Sequence, residues 1–268
     1  MIQGVTARYA AWLKEHLAKT PDLNDARQLN LLLRRLGQWR SRMIANTYTE
    51  RHGLVIMSGP FQGMLYTERQ TEGALTPRLF GSYEDELHPH LQRLAQAGLD
   101  CVIDIGCAEG YYAVGLARLM PQVTVYAHDI DPSARQECTL LAAKNGVSDR
   151  VMVGGEFRPE DFEAFAGRKC LVMVDAEGAE DDILVPERAP ALAGMHVIVE
   201  THDLYRPGVM QRLLDRFSPT HEIERVDHGP KTTPLPDWVM DLSHMDRLIA
   251  VWEFRAGPTP WLVMTPKG

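Results

Sequence analysis

Carboxylates recur where the apolar runs of this 268-residue sequence end. Asp104 stands in CVIDIGCAEG, Asp129 in AHDID, Glu156 in VGGEF, Asp175 and Glu177 in VDAEGAED, and Glu200 with His202 in VIVETHD. A carboxylate accepts hydrogen bonds from hydroxyl and ammonium groups, and a histidine with an ordinary pKa of about 6.5 can move a proton at neutral pH. Taken singly, each acid reads as a helix cap or a solvated loop residue. Acids at the same place on four successive strands read as a ligand site, because open α/β sheets bind at the carboxyl ends of their strands.

The first of these places is a turn, DIGCAEG. Residues 108 and 111 are alanine and tyrosine, so the three-glycine dinucleotide fingerprint is absent. Gly106 suits the tight turn after the strand, and Gly110 suits a close approach of the next helix to a ligand. Asp104 and Glu109 would repel a phosphate, so the turn fits a ligand with positive charge and hydroxyls. Asp129, at the end of the second strand, is placed to accept both hydroxyls of a ribose. Glu156, after the third, is placed to read an adenine amino group.

The elements that position these residues begin near residue 99. CVIDI leads into a helix through GYYAVGLARLM, and VTVYAHD into one over PSARQECTLLAAKNG that starts at Asp131 or Pro132. RVMV leads into a short helix over PEDFEAFAG, CLVMVD into a helical stretch near AEDDILV, and HVIVE into a helix over GVMQRLLDRF. Apolar strands alternating with helices predict a parallel sheet covered on both faces. HEIERV and RLIAVWEF read as two further strands with no long helix between them. The expected fold is therefore α/β and doubly wound, a mostly parallel seven-stranded sheet with an antiparallel last strand, plus N-terminal helices.

Residues 1–80 read as a helical segment followed by a hairpin or lid, and residues 81–268 as the main domain. Val5, Tyr9, Trp12, Leu13 and Leu17 recur at helical spacing, and Pro21 marks a break before a second helix. That helix carries Arg34, Arg35, Arg40 and Arg42, either a phosphate- or partner-binding face or a solvated one; the acidic whole favours the second. SYEDELHPHLQRLAQAG reads as a helix capped by Ser82 with acids in its first turn. A net charge of −8 speaks against a dedicated nucleic-acid binder. The four cysteines lack paired metal-type spacing, and Cys101 and Cys170 fall in apolar runs, as reduced buried thiols do. No apolar run approaches the roughly 18 residues that span a bilayer, and the N-terminus lacks a signal-peptide core. A cytoplasmic protein without a membrane partner is expected.

DIGCAEG followed by Asp129 resembles the class I S-adenosylmethionine-dependent methyltransferases, over residues 82–254. VDAEGAEDDIL followed by VIVETHD is similar to the FkbM-like branch, where an Asp-Val-Glu-Gly-Ala-Glu phrase is common; Ala176 replaces the valine here. The resemblance implies a Rossmann-like methyltransferase fold and S-adenosyl-L-methionine as cofactor. It implies a cofactor site of Asp104, Gly106, Cys107, Ala108, Gly110, Asp129, Ile130 and Glu156, with Glu84 or Glu86 available to the ammonium. Methyl transfer requires alignment of acceptor and cofactor and, for a hydroxyl acceptor, removal of a proton. The catalytic candidates are Asp175, Glu177, Glu200 and His202. His202 suits a general base, or Asp175, Glu200 and His202 suit a divalent metal such as Mg2+, or His202 only hydrogen-bonds Asp175 or a loop. His128 is assigned to the adenosine pocket wall or solvent. Tyr111 and Tyr112 line the cofactor pocket or pack, Trp252 belongs to the core, and Trp238 and Trp261 shape the acceptor site or pack. The expected activity is O-methylation of a small-molecule or glycan hydroxyl. Two alternatives stand beside it: an RNA or protein methyltransferase docking through the arginine helix, and a non-catalytic cofactor-binding scaffold. A homodimer through the N-terminal segment is a further expectation.

Overall fold

The computed structural model describes residues 2–20, 24–68 and 74–267, and Pro21 lies outside them. Helix α1 (Ile2–Lys19) packs against α2 (Ala26–His52), whose first turn is capped by Asp25 accepting from the Arg27 N–H at 2.9 Å. The second half of α2 buries Ile44, Ala45 and Tyr48 in the same core as Val102 and Ala113 of the sheet domain. A short hairpin bridged at Val55 and Leu65 follows, and all six residues of α3 (Leu75–Phe80) are buried. The expected helix from Ser82 starts later. Glu84 has a φ of +48°, incompatible with a helix, and a 3-10 turn over Asp85–Leu87 leads into α4 (His88–Ala95). Pro89 opens α4, where its missing N–H is harmless.

Alternation then runs as the sequence suggests: β1 (Cys101–Ile105), α5 (Tyr111–Leu119), β2 (Thr124–His128), α6 (Pro132–Lys144) and β3 (Val151–Gly154). The stretch after β3 is a 3-10 helix over Pro159–Phe165, followed by β4 (Cys170–Val174), α7 (Glu180–Ile183), β5 (His196–Glu200), α8 (Val209–Phe217) and β6 (His221–Val226). Two short helices, α9 (Asp237–Met240) and α10 (His244–Ala250), precede β7 (Trp261–Pro266). Strand order is β3-β2-β1-β4-β5-β7-β6, with β7 antiparallel to both neighbours and the other pairs parallel. This is the Rossmann-like methyltransferase fold. Side chains of β1 alternate between two cores, Cys101, Ile103 and Ile105 on one face and Val102 on the other.

The seventh strand is not where its apolar run suggests. RLIAVWEF lies across α10 and the turn after it, while WLVMTP pairs with β5 and β6. Ser243 caps α10 by accepting from the Asp246 N–H at 3.2 Å, and Asp246 and Ala250, one turn apart, form its buried face. Trp261 is correspondingly a fully buried strand residue, not part of an acceptor-site loop. Trp252 is half-buried and stacked on Phe254, outside the main cores. Trp238 packs edge-on to Phe80.

Candidate functional site

Strand register places the site. Ile105 pairs with His128 and Val174, His128 with Gly154, and Val174 with Val199. Gly106, Asp129, Gly155, Asp175 and Glu200 therefore form one row at the carboxyl end of the sheet. The strand order reverses between β1 and β4, and that switch point is where an open sheet leaves a crevice. Gly106 sits there at φ +83°, and a Cβ on it would lie 1.7 Å from the Asp175 carbonyl oxygen. Only glycine fits.

Two cavities open along this row and share Asp175 and Glu177 as a common wall. The first, about 690 Å³, is lined by Gly106, Ala108, His128, Asp129, Ile130, Glu156, Phe157, Pro159 and Ile183, among others. Asp129 spans the turn: Oδ2 accepts from the Ala108 N–H at 2.9 Å and Oδ1 from the Asp131 N–H at 2.8 Å. Ile130, an apolar side chain 81% exposed, lines the same cavity as Phe157 and Ile183. Glu156 reaches this cavity but is exposed and paired with Arg158 at 2.8 Å. His128 lies edge-on to Phe157, its Nδ1 3.1 Å from the Gly155 carbonyl.

Other residues named for the cofactor lie behind these walls. Asp104 is buried with one oxygen lacking a hydrogen-bond partner; burial and the nearby Asp129 raise its pKa to about 7. Glu84 is fully buried, bonded to the Tyr112 hydroxyl and the Arg255 guanidinium. Neither lines either of these two cavities. Glu86 joins His228 and Lys231, whose bonds hold its pKa down at about 2 against the opposing effect of burial. Glu109, in the turn, is buried against Tyr66 and Arg78 and gives the cavity no charge. Gly110 serves packing: its missing Cβ would lie 2.8 Å from Sγ of Cys138 on α6. Cys107 is buried beneath the turn. Tyr111 and Tyr112 pack in the core, Tyr111 edge-on to Phe61, Tyr66 and Tyr83.

The second cavity, about 580 Å³, gathers Asp175, Glu177, Glu200 and His202 with Arg34, Tyr83, Leu204, Tyr205, Glu253, Phe254, Arg255 and Thr259. His202 Nδ1 is 2.7 Å from Oε1 of the fully buried Glu180. Its Nε2 lies 3.6 Å from Glu200, 3.6 Å from Glu177 and 3.7 Å from Asp175. These gaps exceed a hydrogen bond. Ligand atoms of Asp175, Glu200 and His202 lie within 4.8 Å of one another, the spacing of groups that share a cation. One Asp175 oxygen is buried without a hydrogen-bond partner, and its carboxyl is pushed well above the usual range by burial and by Glu200, Glu84 and Glu177. The three groups present fit a divalent cation: hard carboxylate oxygens, one of them without a hydrogen-bond partner, and one imidazole. Burial lowers the His202 pKa, but Glu180, Glu200 and Glu177 raise it further, leaving it above its ordinary value.

The cluster predicted from sequence is therefore brought together, and the structure adds Glu180, Arg255, Thr259 and Tyr205 to it. Arg255 and Thr259 both donate to Glu200 Oε1, leaving Oε2 toward His202. Tyr205 stacks on His202 with ring centres 5.7 Å apart. Glu177 and Ala108 hold φ values of +49° and +48°, left-handed backbone at non-glycine residues in the two site loops. Such strain clusters at ligand sites. Among the sequence signals, only the acidic run after Glu177 hinted at Glu180; Arg255 and Thr259 belong to a loop without a motif.

No protein-family model matches the sequence, and no curated protein matches it. Solved structures similar to it include the O-methyltransferase TomG from Streptomyces achromogenes in complex with SAM (15% identity, 86% of this chain and 99% of that chain, TM-score 0.49). Others are an O-methyltransferase from Bacillus cereus in complex with SAH (12%, 100% of both chains, TM-score 0.48) and an rRNA methylase from Streptococcus thermophilus (16%, 68% and 96%, TM-score 0.45). At these identities the likeness is one of fold alone.

Proposed function

We propose that this protein is an S-adenosylmethionine-dependent methyltransferase that methylates a hydroxyl of a small molecule or glycan, with a divalent cation at Asp175, Glu200 and His202. One observation carries the reading: the cavity of Asp129 and Ile130 and the cavity of His202 share the wall of Asp175 and Glu177. A cofactor in the first thereby faces an acceptor in the second. Asp129 retains lone pairs for the ribose hydroxyls beyond its two backbone bonds. Ile130, Phe157 and Ile183 supply apolar surface for the adenine, and Glu156 takes the amino group when it leaves Arg158. Gly106 and Ala108 shape the turn that lets the cofactor lie against the sheet.

In the second cavity Glu180 fixes the His202 ring and its tautomer, so that Nε2 faces the carboxylates. Arg255 and Thr259 fix Glu200 in the same way. A divalent cation at these groups would supply acidity to an acceptor hydroxyl. Glu177 is the remaining carboxylate at the boundary and is 45% exposed, so it can take the hydroxyl proton and release it to water. Asp175, on the shared wall, aligns the two halves.

Isothermal titration with S-adenosylmethionine tests the reading. The wild type is expected to bind in the micromolar range, about −8 kcal/mol, and Asp129→Ala to bind on the order of a hundredfold more weakly through loss of a charged acceptor for two hydroxyls. Absence of binding by the wild type would overturn it.

A further inference from the structure

We propose that Arg34 anchors an oxyanion, a carboxylate or phosphate, carried by the methyl acceptor away from the hydroxyl that is methylated. This deepens the methyltransferase reading and rests on it. Arg34 comes from α2, outside the strand–helix alternation, yet it lines the cavity of Asp175, Glu200 and His202. Gly37, one turn on, explains how: a Cβ there would lie 2.6 Å from the Trp252 ring, so α2 presses directly on the 252–254 segment. That contact brings Arg34 to the cavity mouth, where its Nη1 is 3.5 Å from the Arg255 carbonyl.

The arginines of this helix are not equivalent. Arg40 grips Asp246 through two bonds of 2.6 and 2.8 Å, Arg42 donates to Glu68 at 3.0 Å, and Arg35 donates to Gln38 and lies over Trp12. Arg34 makes only its one long bond, and no carboxylate pairs with it among the described residues. The other guanidinium in the cavity, Arg255, is committed to Glu84, Glu200 and Glu253. A guanidinium has five donors in a planar fork that matches carboxylate and phosphate. Arg34 is thus the cavity's guanidinium with donors to spare, supplied by α2. The same cavity is lined by Leu204, Tyr205 and Phe254, with Leu204 and Tyr205 more than half exposed. The site fits a hydroxylated, partly apolar acceptor with a negative charge at its far end.

Benzoate, phenyl phosphate and benzamide share a ring and differ in charge. Each is titrated calorimetrically into the full-length protein in EDTA, so that no cation binds the carboxylate, with and without S-adenosylhomocysteine. At least one of the two oxyanions is expected to bind tenfold or more tightly than benzamide, and the tighter one names the acceptor's group. Arg34→Gln is expected to erase the preference and Arg34→Lys to keep part of it. Arg34 is half-exposed with one weak bond, so unchanged thermal unfolding of both variants is expected. Equal binding of all three compounds, no oxyanion binding by the wild type, or an Arg34→Gln variant that keeps the preference would overturn the proposal. Failure of S-adenosylhomocysteine to bind would instead refute the methyltransferase reading, because the preference measured without it still decides the role of Arg34.

Discussion

Glu180→Gln separates the charge of the buried carboxylate from its hydrogen bonds. Oε1 of Glu180 accepts from both the Gly178 N–H at 2.9 Å and His202 Nδ1 at 2.7 Å, while Oε2 is buried without a hydrogen-bond partner. Glutamine keeps an oxygen at the first position and puts an amide at the second. Both bonds survive and the charge is lost. A hydrogen bond to a charged group contributes ~1.5–3 kcal/mol and one between neutral groups ~0.5–1.5. The difference, about 1–1.5 kcal/mol, corresponds to roughly tenfold in an equilibrium constant. Carboxylate partners of metal-bound histidines carry about 10–100-fold in affinity or activity, so the lower end of that range is expected here. Glu180→Ala strips the acceptor from two buried donors, each worth ~1–3 kcal/mol, and is expected to lose about a hundredfold together with fold stability. Calorimetric titration of Mn2+ into the S-adenosylhomocysteine complex measures the effect. A Glu180→Gln variant within twofold of wild type, or a wild type that binds no Mn2+, refutes the reasoning.

Gly106→Ala is expected to destabilise the fold by roughly 3 kcal/mol or more, since a Cβ at φ +83° would meet the Asp175 carbonyl at 1.7 Å; an unchanged denaturant midpoint would contradict the close β1–β4 approach. The Arg40–Asp246 pair ties α10 to α2, and the Arg40 guanidinium holds the Asp246 carboxyl below its usual range. A depressed folded pKa means this contribution is present above the unfolded value of about 3.9 and lost as pH falls through the folded one. Asp246→Asn should therefore lower the unfolding temperature at pH 7, with the gap to wild type narrowing as pH falls below the unfolded value; a gap that stays constant with falling pH would refute the assignment.

The sheet and its row of acids were legible because parallel strands bury both faces and read as unbroken apolar runs ending at the ligand edge. CVIDI, CLVMVD and HVIVE all carry that mark, and HEIERV reads as a further strand. The seventh was missed because LIAVW is apolar enough for a strand, whereas helix α10 is decided by the Ser243 cap and the 246/250 spacing of its buried residues. The acid–histidine cluster was legible in DAEGAED and ETHD. What the turn seemed to offer was misleading at Glu109, since its partners Tyr66 and Arg78 come from outside the strand–helix alternation. The reach of α2 into the second cavity had no signal beyond four arginines, and only tertiary packing at Gly37 distinguishes Arg34 from the rest.

The ion pairs around the second cavity are better explained by position than by stability. Arg255 joins Glu84, Glu200 and Glu253, while Lys231 joins Asp85, Glu86 and Glu253, and His228 joins Glu86. Most of these groups are removed from water, and the desolvation of buried charges offsets much of their mutual attraction, so apolar residues of similar size would stabilise the fold as well. The pairs instead connect three segments between the main elements, the turn at residues 83–87 and the loops at 227–233 and 253–259, to the end of β5. Breaking Arg255 would leave Glu200 Oε1 held by Thr259 alone and loosen the orientation of Oε2 toward His202. The network thus fixes loops as one wall of the second cavity, and its charge serves the geometry of Glu200.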